Sequence, residues 1–344
     1  MAALLRILAL LLALTSLPAP APATSPLPDP AVVHANTVKS GQIGYREGYH
    51  GSGDDRLHYV EAGRGPLILF YHGFPSFWYS WFDQMELLKG RYRVVAVDAL
   101  GAGRSAKPGE ASAYRIERLA AQLDRLARHL AGKQRFILVG HDWGAALAFA
   151  YAQGYPHRLH GVVGMSAPPY NLFLDLVRTS PEQQARSSYM QRFRSLTLED
   201  IAARGLPEQI WRGSYEPLVA DGSLNRDEAA LFRTALAEPT AINGGMNWYR
   251  ANIPPFEEIT AAHRWPATNP KIRVPAMLIW GSADRTFVDD LMHRTKANAA
   301  DLKVVQLPGV GHWATMQRPA AANAALAEFV AKLRPSACRG SICT

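Results

Sequence analysis

The pentapeptide Gly140–Gly144 (GHDWG) constrains the fold of this chain more than any other segment. It follows the apolar run Phe136–Val139 and precedes the small-residue, helix-like run Ala145–Ala150. A G-x-nucleophile-x-G pattern between a strand and a helix is typical of a nucleophile elbow, a sharp turn that exposes its central residue. The turn strains that residue, and Asp tolerates a positive φ better than most residues that carry a side chain. The pattern therefore predicts that Asp142 projects from a turn between a buried strand and a helix.

An aspartate at the centre of this turn narrows the chemistry. A serine that attacks an acyl carbon forms an ester that water can cleave, whereas a serine that attacks a saturated carbon forms a stable ether. A carboxylate that attacks a saturated carbon forms an alkyl ester, whose carbonyl carbon water can then attack. Asp142 therefore indicates a tetrahedral carbon electrophile, such as an epoxide or an alkyl halide. The competing interpretation is an aspartate that only caps the N-terminus of the following helix.

Residues 1–23 have the features of a secretory signal. Arg6 precedes an apolar run from Ile7 to Leu14, and Ala21-Pro22-Ala23 matches an A-x-A cleavage site. The apolar stretch from Ala2 to Leu17 is too short to span a bilayer comfortably, which disfavours a retained anchor. We therefore expect an exported protein, periplasmic or extracellular, without a stable membrane anchor.

Charge and cysteine content limit the other classes of function. The formal net charge is +8, but the basic residues are scattered along the 344 residues, which disfavours a nucleic-acid-binding surface. The only cysteines are Cys338 and Cys343, and they lack the partners of a zinc site. In an oxidising compartment they would close a small disulfide loop, and two free thiols are the alternative. No metal or cofactor is implied.

Strands and helices alternate on both sides of the pentapeptide. The predicted strands are 38–45, Leu57–Glu61, Leu67–Tyr71, Tyr92–Val97, Phe136–Val139, His160–Met165, Ala276–Trp280 and Lys303–Leu307. The predicted helices outside residues 169–269 are Ile116–Leu130, a helix from Ala145, Val288–Ala300 and Ala320–Leu333. Residues 169–269 read as helical segments rich in aromatics, and residues 24–35 as a linker.

This alternation predicts an α/β fold with a mainly parallel sheet, helices on both faces and right-handed crossovers. Residues 24–168 and 270–344 would form one sheet domain, including the linker and the C-terminal tail. Residues 169–269 would form a helical cap, inserted at the edge of the sheet where ligands bind.

An aspartate nucleophile requires a base for the second step and an acid that orients the base. His312 lies in a glycine-flanked loop between the last strand and the last helix. Asp284 follows the strand Ala276–Trp280, whereas the rival Asp98 ends a strand on the far side of the elbow strand. The order Asp142, Asp284, His312 is the nucleophile–acid–base order of elbow-type hydrolases.

Two backbone N–H groups are candidates for an oxyanion hole. Phe74, in the segment His72–Pro75 (HGFP), would supply one and Trp143 the other. We expect the side chains of His72 and His141 to be structural, holding the loop and lining the turn.

From about Leu57 to Leu333 the chain resembles the epoxide hydrolases of the α/β-hydrolase fold. The matching segments are His72–Pro75 (HGFP), Phe77–Trp81 (FWYSW), Gly140–Gly144 (GHDWG) and Gly311–Trp313 (GHW). The resemblance supports Asp284 and His312 as the acid and the base. It also implies that two tyrosines of the cap donate hydrogen bonds to the epoxide oxygen.

The two cap segments that carry these tyrosines differ in how closely they match. Asn247–Arg250 closely matches the second tyrosine motif of the family and gives Tyr249, whereas Tyr189–Phe193 resembles the first and gives Tyr189. Opening an epoxide makes an alkoxide that needs a proton, and a phenol, with a pKa of about 10, is a suitable acid. We expect Tyr170 and Tyr215 to serve packing instead.

The resemblance implies a hydrolase that converts a small-molecule epoxide and water into a vicinal diol, with the oligomeric state left open. Haloalkane dehalogenases share the Asp–His–acid arrangement but bind halide with a second side-chain donor, where this chain has Phe74. Fluoroacetate dehalogenases typically carry Arg at the place of Trp143. An esterase is disfavoured because Asp replaces Ser, and a non-catalytic binding protein on a hydrolase scaffold is the remaining alternative.

Overall fold

The computed structural model describes residues 45–333. The predictions for the signal segment at 1–23, the linker at 24–35 and the pairing of Cys338 with Cys343 lie outside these residues. Most of the predicted first strand at 38–45 also lies outside them. The first strand that the structure describes is Arg46–His50.

One sheet runs through the described part of the chain. Its strands are β1 (Arg46–His50), β2 (Leu57–Ala62), β3 (Leu67–Tyr71), β4 (Arg93–Val97), β5 (Phe136–His141), β6 (Leu159–Met165), β7 (Ala276–Gly281) and β8 (Leu302–Leu307). Their order in the sheet is β1-β2-β4-β3-β5-β6-β7-β8. β2 pairs antiparallel with β1 and with β4, and all the other pairs are parallel. The predicted mainly parallel sheet is thus confirmed.

Helices connect the strands. The α-helices are α1 (Phe82–Leu88), α2 (Ile116–Ala131), α3 (Trp143–Gly154), α4 (Tyr170–Thr179), α5 (Pro181–Arg186), α6 (Ser188–Ser195), α7 (Leu198–Ala203), α8 (Leu206–Ser214), α9 (Glu216–Ala220), α10 (Arg226–Leu236), α11 (Pro239–Asn252), α12 (Asp290–Ala297), α13 (Ala314–Gln317) and α14 (Pro319–Lys332). Short 3-10 helices lie at Gly53–Asp55, Trp78–Trp81, Ala111–Tyr114, Pro156–Arg158, Phe256–Glu258 and Ala261–His263.

The burial of the central strands explains their uniform apolar character. Every residue of β3, β5 and β7 is buried, because helices cover both faces of the sheet. Helix α2 instead buries one face at intervals of three and four residues and ends before Gly132, whose φ is 56°. Core packing therefore fixes the position of β5 and of the turn that follows it.

Between β6 and β7 the described chain forms helices and no strand of the sheet. These helices lie over the loops that follow the carboxyl ends of the parallel strands. Trp248 of α11 donates its indole N–H to the Leu100 carbonyl at 3.0 Å, and the Asn252 side-chain oxygen accepts from the Ile116 N–H at 2.8 Å. Their division from the sheet as a cap at 169–269 stays a prediction. Within residues 45–333 no helix has the length and apolar character needed to cross a membrane.

Candidate active site

The predicted sharp turn is present at Asp142, between β5 and α3. Asp142 has φ 54° and ψ −125°, a strained conformation for a residue with a side chain. A Cβ on Gly140 would lie 2.1 Å from the Gly144 carbonyl oxygen, and one on Gly144 would lie 1.9 Å from the Tyr71 carbonyl oxygen. Both glycines are therefore required for the turn to close. The Asp142 side chain makes no capping hydrogen bond to α3, so the helix-cap interpretation is wrong.

The two carboxylate oxygens of Asp142 have different surroundings. Oδ1 accepts a hydrogen bond from the Phe74 N–H at 2.8 Å, and Oδ2 lies 3.5 Å from Nε2 of His312. A Cβ on Gly73 would lie 2.2 Å from Oδ1, so only glycine lets the loop approach the carboxylate this closely. Trp143 is the first residue of α3, where helical N–H groups lack an intrahelical partner. Its place in an oxyanion hole stays a prediction.

The loop that presents the Phe74 N–H is held by His72. The buried imidazole donates from Nδ1 to the Gly73 carbonyl at 2.7 Å and accepts at Nε2 from the Ala99 N–H at 2.9 Å. This pattern requires a neutral ring, and burial, the largest influence, lowers the pKa of His72. His72 thus holds the loop, as the sequence predicts.

His312 stands between two carboxylates. Its Nδ1 lies 2.9 Å from Oδ2 of Asp284, and its Nε2 faces Asp142. Burial by itself lowers the pKa of His312, but the charges and hydrogen bonds of Asp284 and Asp142 outweigh it and raise the pKa to about 10. The two carboxylates therefore favour the cationic form of the imidazole.

Asp284 is buried, and each of its carboxylate oxygens has a hydrogen-bond partner. While Oδ2 faces His312, Oδ1 accepts from the Thr286 N–H at 2.9 Å. Burial alone raises the pKa of Asp284, but His312 and Thr286 together bring that pKa below its ordinary value. Asp284 therefore stays ionised and fixes the orientation of the imidazole. The contact of Thr286 with Asp284 was not predicted from the sequence, because no motif marks Thr286 apart from its place two residues after Asp284.

The rival acid Asp98 does not reach His312. It directly follows β4, which β3 separates from the elbow strand β5, whereas β7 lies on the other side of β5. Its carboxylate accepts from the Trp78 N–H at 2.8 Å and lies 2.8 Å from Nδ1 of His58. Asp98 thus forms a second buried acid–histidine pair, which the sequence analysis did not anticipate.

His141 ties the turn to the loop that carries His312. Its Nε2 donates to the His312 carbonyl at 2.9 Å. Burial, followed by the charge of His312, lowers the pKa of His141 to about 4, so the ring stays neutral and keeps this donor. The position agrees with the predicted structural role.

The structure brings Tyr189 of α6 and Tyr249 of α11 together above the elbow. Their ring centroids are 6.0 Å apart, and the ring centroids of Tyr249 and Trp143 are 5.1 Å apart with the two ring planes nearly perpendicular. Burial raises the pKa of both phenols, and the negative charge of Asp142 raises both further. Both tyrosines are therefore protonated and within electrostatic reach of Asp142. Phe193 packs against both rings, at 5.4 and 5.3 Å.

The hydroxyls of Tyr170 and Tyr215 donate hydrogen bonds to backbone carbonyl oxygens. Tyr170 donates to the carbonyl oxygens of Asn252 and His263 at 2.9 and 3.1 Å, and Tyr215 donates to the Pro75 carbonyl. Both phenols therefore hold backbone in place.

A small, mainly apolar pocket of about 20 Å³ lies beside the loop that presents the Phe74 N–H. Its walls include Phe74, Leu100, Trp143, Leu236, Ala241 and Trp248. Within residues 45–333 no cluster of three or more His, Cys, Asp or Glu side chains could hold a metal ion.

Comparison with known proteins agrees with this geometry. The sequence model of the α/β hydrolase fold matches residues 66–319. Epoxide hydrolase 3 of Xenopus tropicalis is 30% identical over 284 residues, which cover 80% of this chain and 74% of that protein. An AB hydrolase superfamily protein of Bacillus subtilis is also 30% identical over 284 residues, which cover 80% of this chain and 94% of that protein.

Solved structures show the same relationship. The crystal structure of Bacillus megaterium epoxide hydrolase in complex with an inhibitor has a TM-score of 0.73 and 25% identity, covering 83% of this chain and 100% of that one. The chain therefore belongs to the epoxide hydrolase family of the α/β-hydrolase fold, whose members are hydrolases that act on the ether bond of an epoxide.

Proposed function

We propose that the protein hydrolyses an epoxide to a vicinal diol through an alkyl ester on Asp142. The observation that carries the proposal is the surroundings of this carboxylate. Oδ1 is held by the Phe74 N–H at 2.8 Å, and Oδ2 faces His312 at 3.5 Å. Two protonated phenols from the helices above complete the site. A nucleophile, a paired base and an acid for the leaving oxygen are the groups that epoxide opening requires.

In the first step, Oδ2 of Asp142 attacks the less hindered carbon of the epoxide. The carbon–oxygen bond of the ring breaks, and its electron pair moves to the epoxide oxygen. Tyr189 and Tyr249 donate hydrogen bonds to that oxygen, and one of them transfers its proton. The transfer is favourable because an alkoxide is a stronger base than a phenolate.

In the second step, His312 loses its proton and acts as a neutral general base. Ester formation removes the negative charge of Asp142, one of the two charges that raise the pKa of His312. The pKa falls, and the proton that His312 releases restores the phenol. The neutral imidazole then takes a proton from water, and the hydroxide attacks the ester carbonyl carbon while the N–H groups of Phe74 and Trp143 bind the oxyanion. Collapse breaks the bond from that carbon to the diol oxygen, which receives the proton from His312. The Asp142 carboxyl group then gives its proton to the imidazole, which restores the starting state.

Two features favour an epoxide over an alkyl halide. A departing halide is already a stable anion and needs donors rather than an acid, and Phe74 supplies no side-chain donor. The indole of Trp143 interacts with the hydroxyl of Tyr249, and so does Tyr189. The polar groups above Asp142 are thus arranged around an oxygen that must be protonated.

The proposal includes export from the cytoplasm, to a periplasm or the medium. It rests on the sequence of residues 1–23, with its early Arg6, its apolar run and its A-x-A segment before Thr24.

The substrate class is tested by incubating the protein with a panel of epoxides and with alkyl halides of matched carbon skeleton. We expect diol from one or more epoxides and no halide release. Asp142→Asn is the control, because it keeps the shape of the side chain and removes the nucleophile. Halide release without diol formation from any epoxide would identify a dehalogenase instead.

A further inference from the structure

A buried side chain, Gln183 of α5, joins the helices above the site to the loop that carries Asp284. Gln183 has no exposed surface. Its Nε2 donates to the Thr286 carbonyl at 3.0 Å, and its Oε1 accepts from the Val288 N–H at 3.0 Å. The amide thus pairs with the loop backbone through both its donor and its acceptor.

The other end of this connection is the start of α6. Nε2 of Gln183 also donates to Oγ of Ser187 at 2.9 Å, and Ser187 is itself fully buried. Ser187 directly precedes α6, and its carbonyl accepts from the Met190 N–H at 2.9 Å. Tyr189 is the second residue of that helix. Gln183 therefore fixes the point at which the helix of Tyr189 begins.

On the loop side, the backbone of Thr286 links Gln183 directly to the acid. The Thr286 N–H donates to Oδ1 of Asp284 at 2.9 Å, while the Thr286 carbonyl accepts from Gln183. The Thr286 hydroxyl also lies 3.5 Å from Nδ1 of His312. A short path of hydrogen bonds thus runs from the start of α6 through Gln183 and Thr286 to the Asp284–His312 pair.

We propose that Gln183 is a positioning residue that holds Tyr189 and the Asp284–His312 pair in one common geometry. This inference rests on the proposed function, in which Tyr189 serves ester formation and His312 serves ester hydrolysis. Loss of the Gln183 amide leaves the Thr286 carbonyl and the Val288 N–H unpaired in a buried place, so the loop must shift to regain partners. Because a displacement of about 1 Å can cost about a hundredfold in rate, even a partial shift should be measurable.

The test is Gln183→Met, which keeps the length of the side chain and removes its amide. Ester formation on Asp142 and ester hydrolysis are measured separately in single turnovers with excess protein, by rapid quenching and intact-mass analysis. We expect both rate constants to fall about tenfold at a temperature well below the melting temperature of the variant. The matched control is Gln184→Met on the same helix, whose half-buried side chain donates from its amide to the Arg178 carbonyl at 3.5 Å. Both its rate constants should equal those of the parent.

Measuring the two half-reactions separately distinguishes a positioning role of Gln183 from an effect on stability alone. A lower melting temperature with both rate constants unchanged would overturn the inference, and so would a fall in only one of them. If Gln183→Met does not fold, Arg186→Met replaces it, because Arg186 of α5 donates to the Phe287 carbonyl of the same loop from a partly exposed position. The same two decreases are then expected, to a smaller extent. If the parent protein forms no ester with any epoxide, the proposed function fails, which is a different result from parent-like rates in the variants.

Discussion

Replacement of His312 by Gln should trap the protein as an alkyl ester on Asp142. Glutamine cannot take a proton from water, whereas the attack of Oδ2 on the epoxide does not use His312 as a base. Ester formation should therefore continue, and turnover should fall by about 10²–10⁴-fold, the usual contribution of a general base. Intact-mass measurement after mixing with an epoxide should show the protein heavier by the mass of that epoxide, and peptide mapping should place the added mass on Asp142.

The control for this experiment is His293→Gln, which changes an exposed histidine on α12. That variant should turn over like the parent and accumulate no adduct. A His312→Gln protein that retains full turnover would exclude His312 as the base. A protein that loses turnover and forms no adduct would show that His312 is needed before the ester forms, which the proposed sequence of steps does not allow.

The double substitution Tyr189→Phe and Tyr249→Phe should abolish ester formation while leaving the fold intact. Removing one preorganised donor from a developing oxyanion costs about 10²–10³-fold in rate, so each single variant should lose about a hundredfold and the double variant more. Burial raises the pKa of both phenols, so the parent should keep its rate of ester formation from neutral into mildly alkaline solution. Single-turnover measurement of ester formation checks both statements.

Tyr170→Phe is the matched control for the tyrosine variants. Its hydroxyl bonds the carbonyl oxygens of Asn252 and His263, so its loss should lower stability and leave ester formation unchanged. Equal losses of rate in Tyr170→Phe and Tyr249→Phe would mean that the tyrosines act through packing. Ester formation at the parent rate in the double variant would remove the phenols from the mechanism.

The parts of the site on the sheet were predictable because local sequence determines them. Gly140 and Gly144 are required by contacts within the turn and with β3, and buried strands on both sides identify the turn. Asp284 follows β7, whose complete burial leaves a continuous apolar run, and His312 follows β8, the partly buried strand at the edge of the sheet. Parallel strands place their carboxyl ends at one edge, so the order along the chain was enough to predict that Asp284 and His312 meet beside Asp142.

The connections between the helices above the site and the sheet were not predictable in the same way. Gln183 and Thr286 are 103 residues apart, and neither lies in a recognisable motif. The helices of residues 170–252 are mostly short, and their periodicity indicates a buried face without indicating what covers it. Tyr189 and Tyr249 could be assigned only through the resemblance to a family, because helical periodicity does not distinguish a phenol facing a carboxylate from one that packs, such as Tyr170.

The central claim is that a bond forms between Asp142 and the substrate carbon, and its most direct test is a single turnover in H₂¹⁸O with protein in excess over epoxide. If water attacks the ester carbonyl, the diol of the first turnover takes its new oxygen from Asp142 and carries no label, while ¹⁸O appears in the peptide that contains Asp142. If the diol carries ¹⁸O in that first turnover and the Asp142 peptide carries none, water attacks the epoxide directly and Asp142 is not a nucleophile.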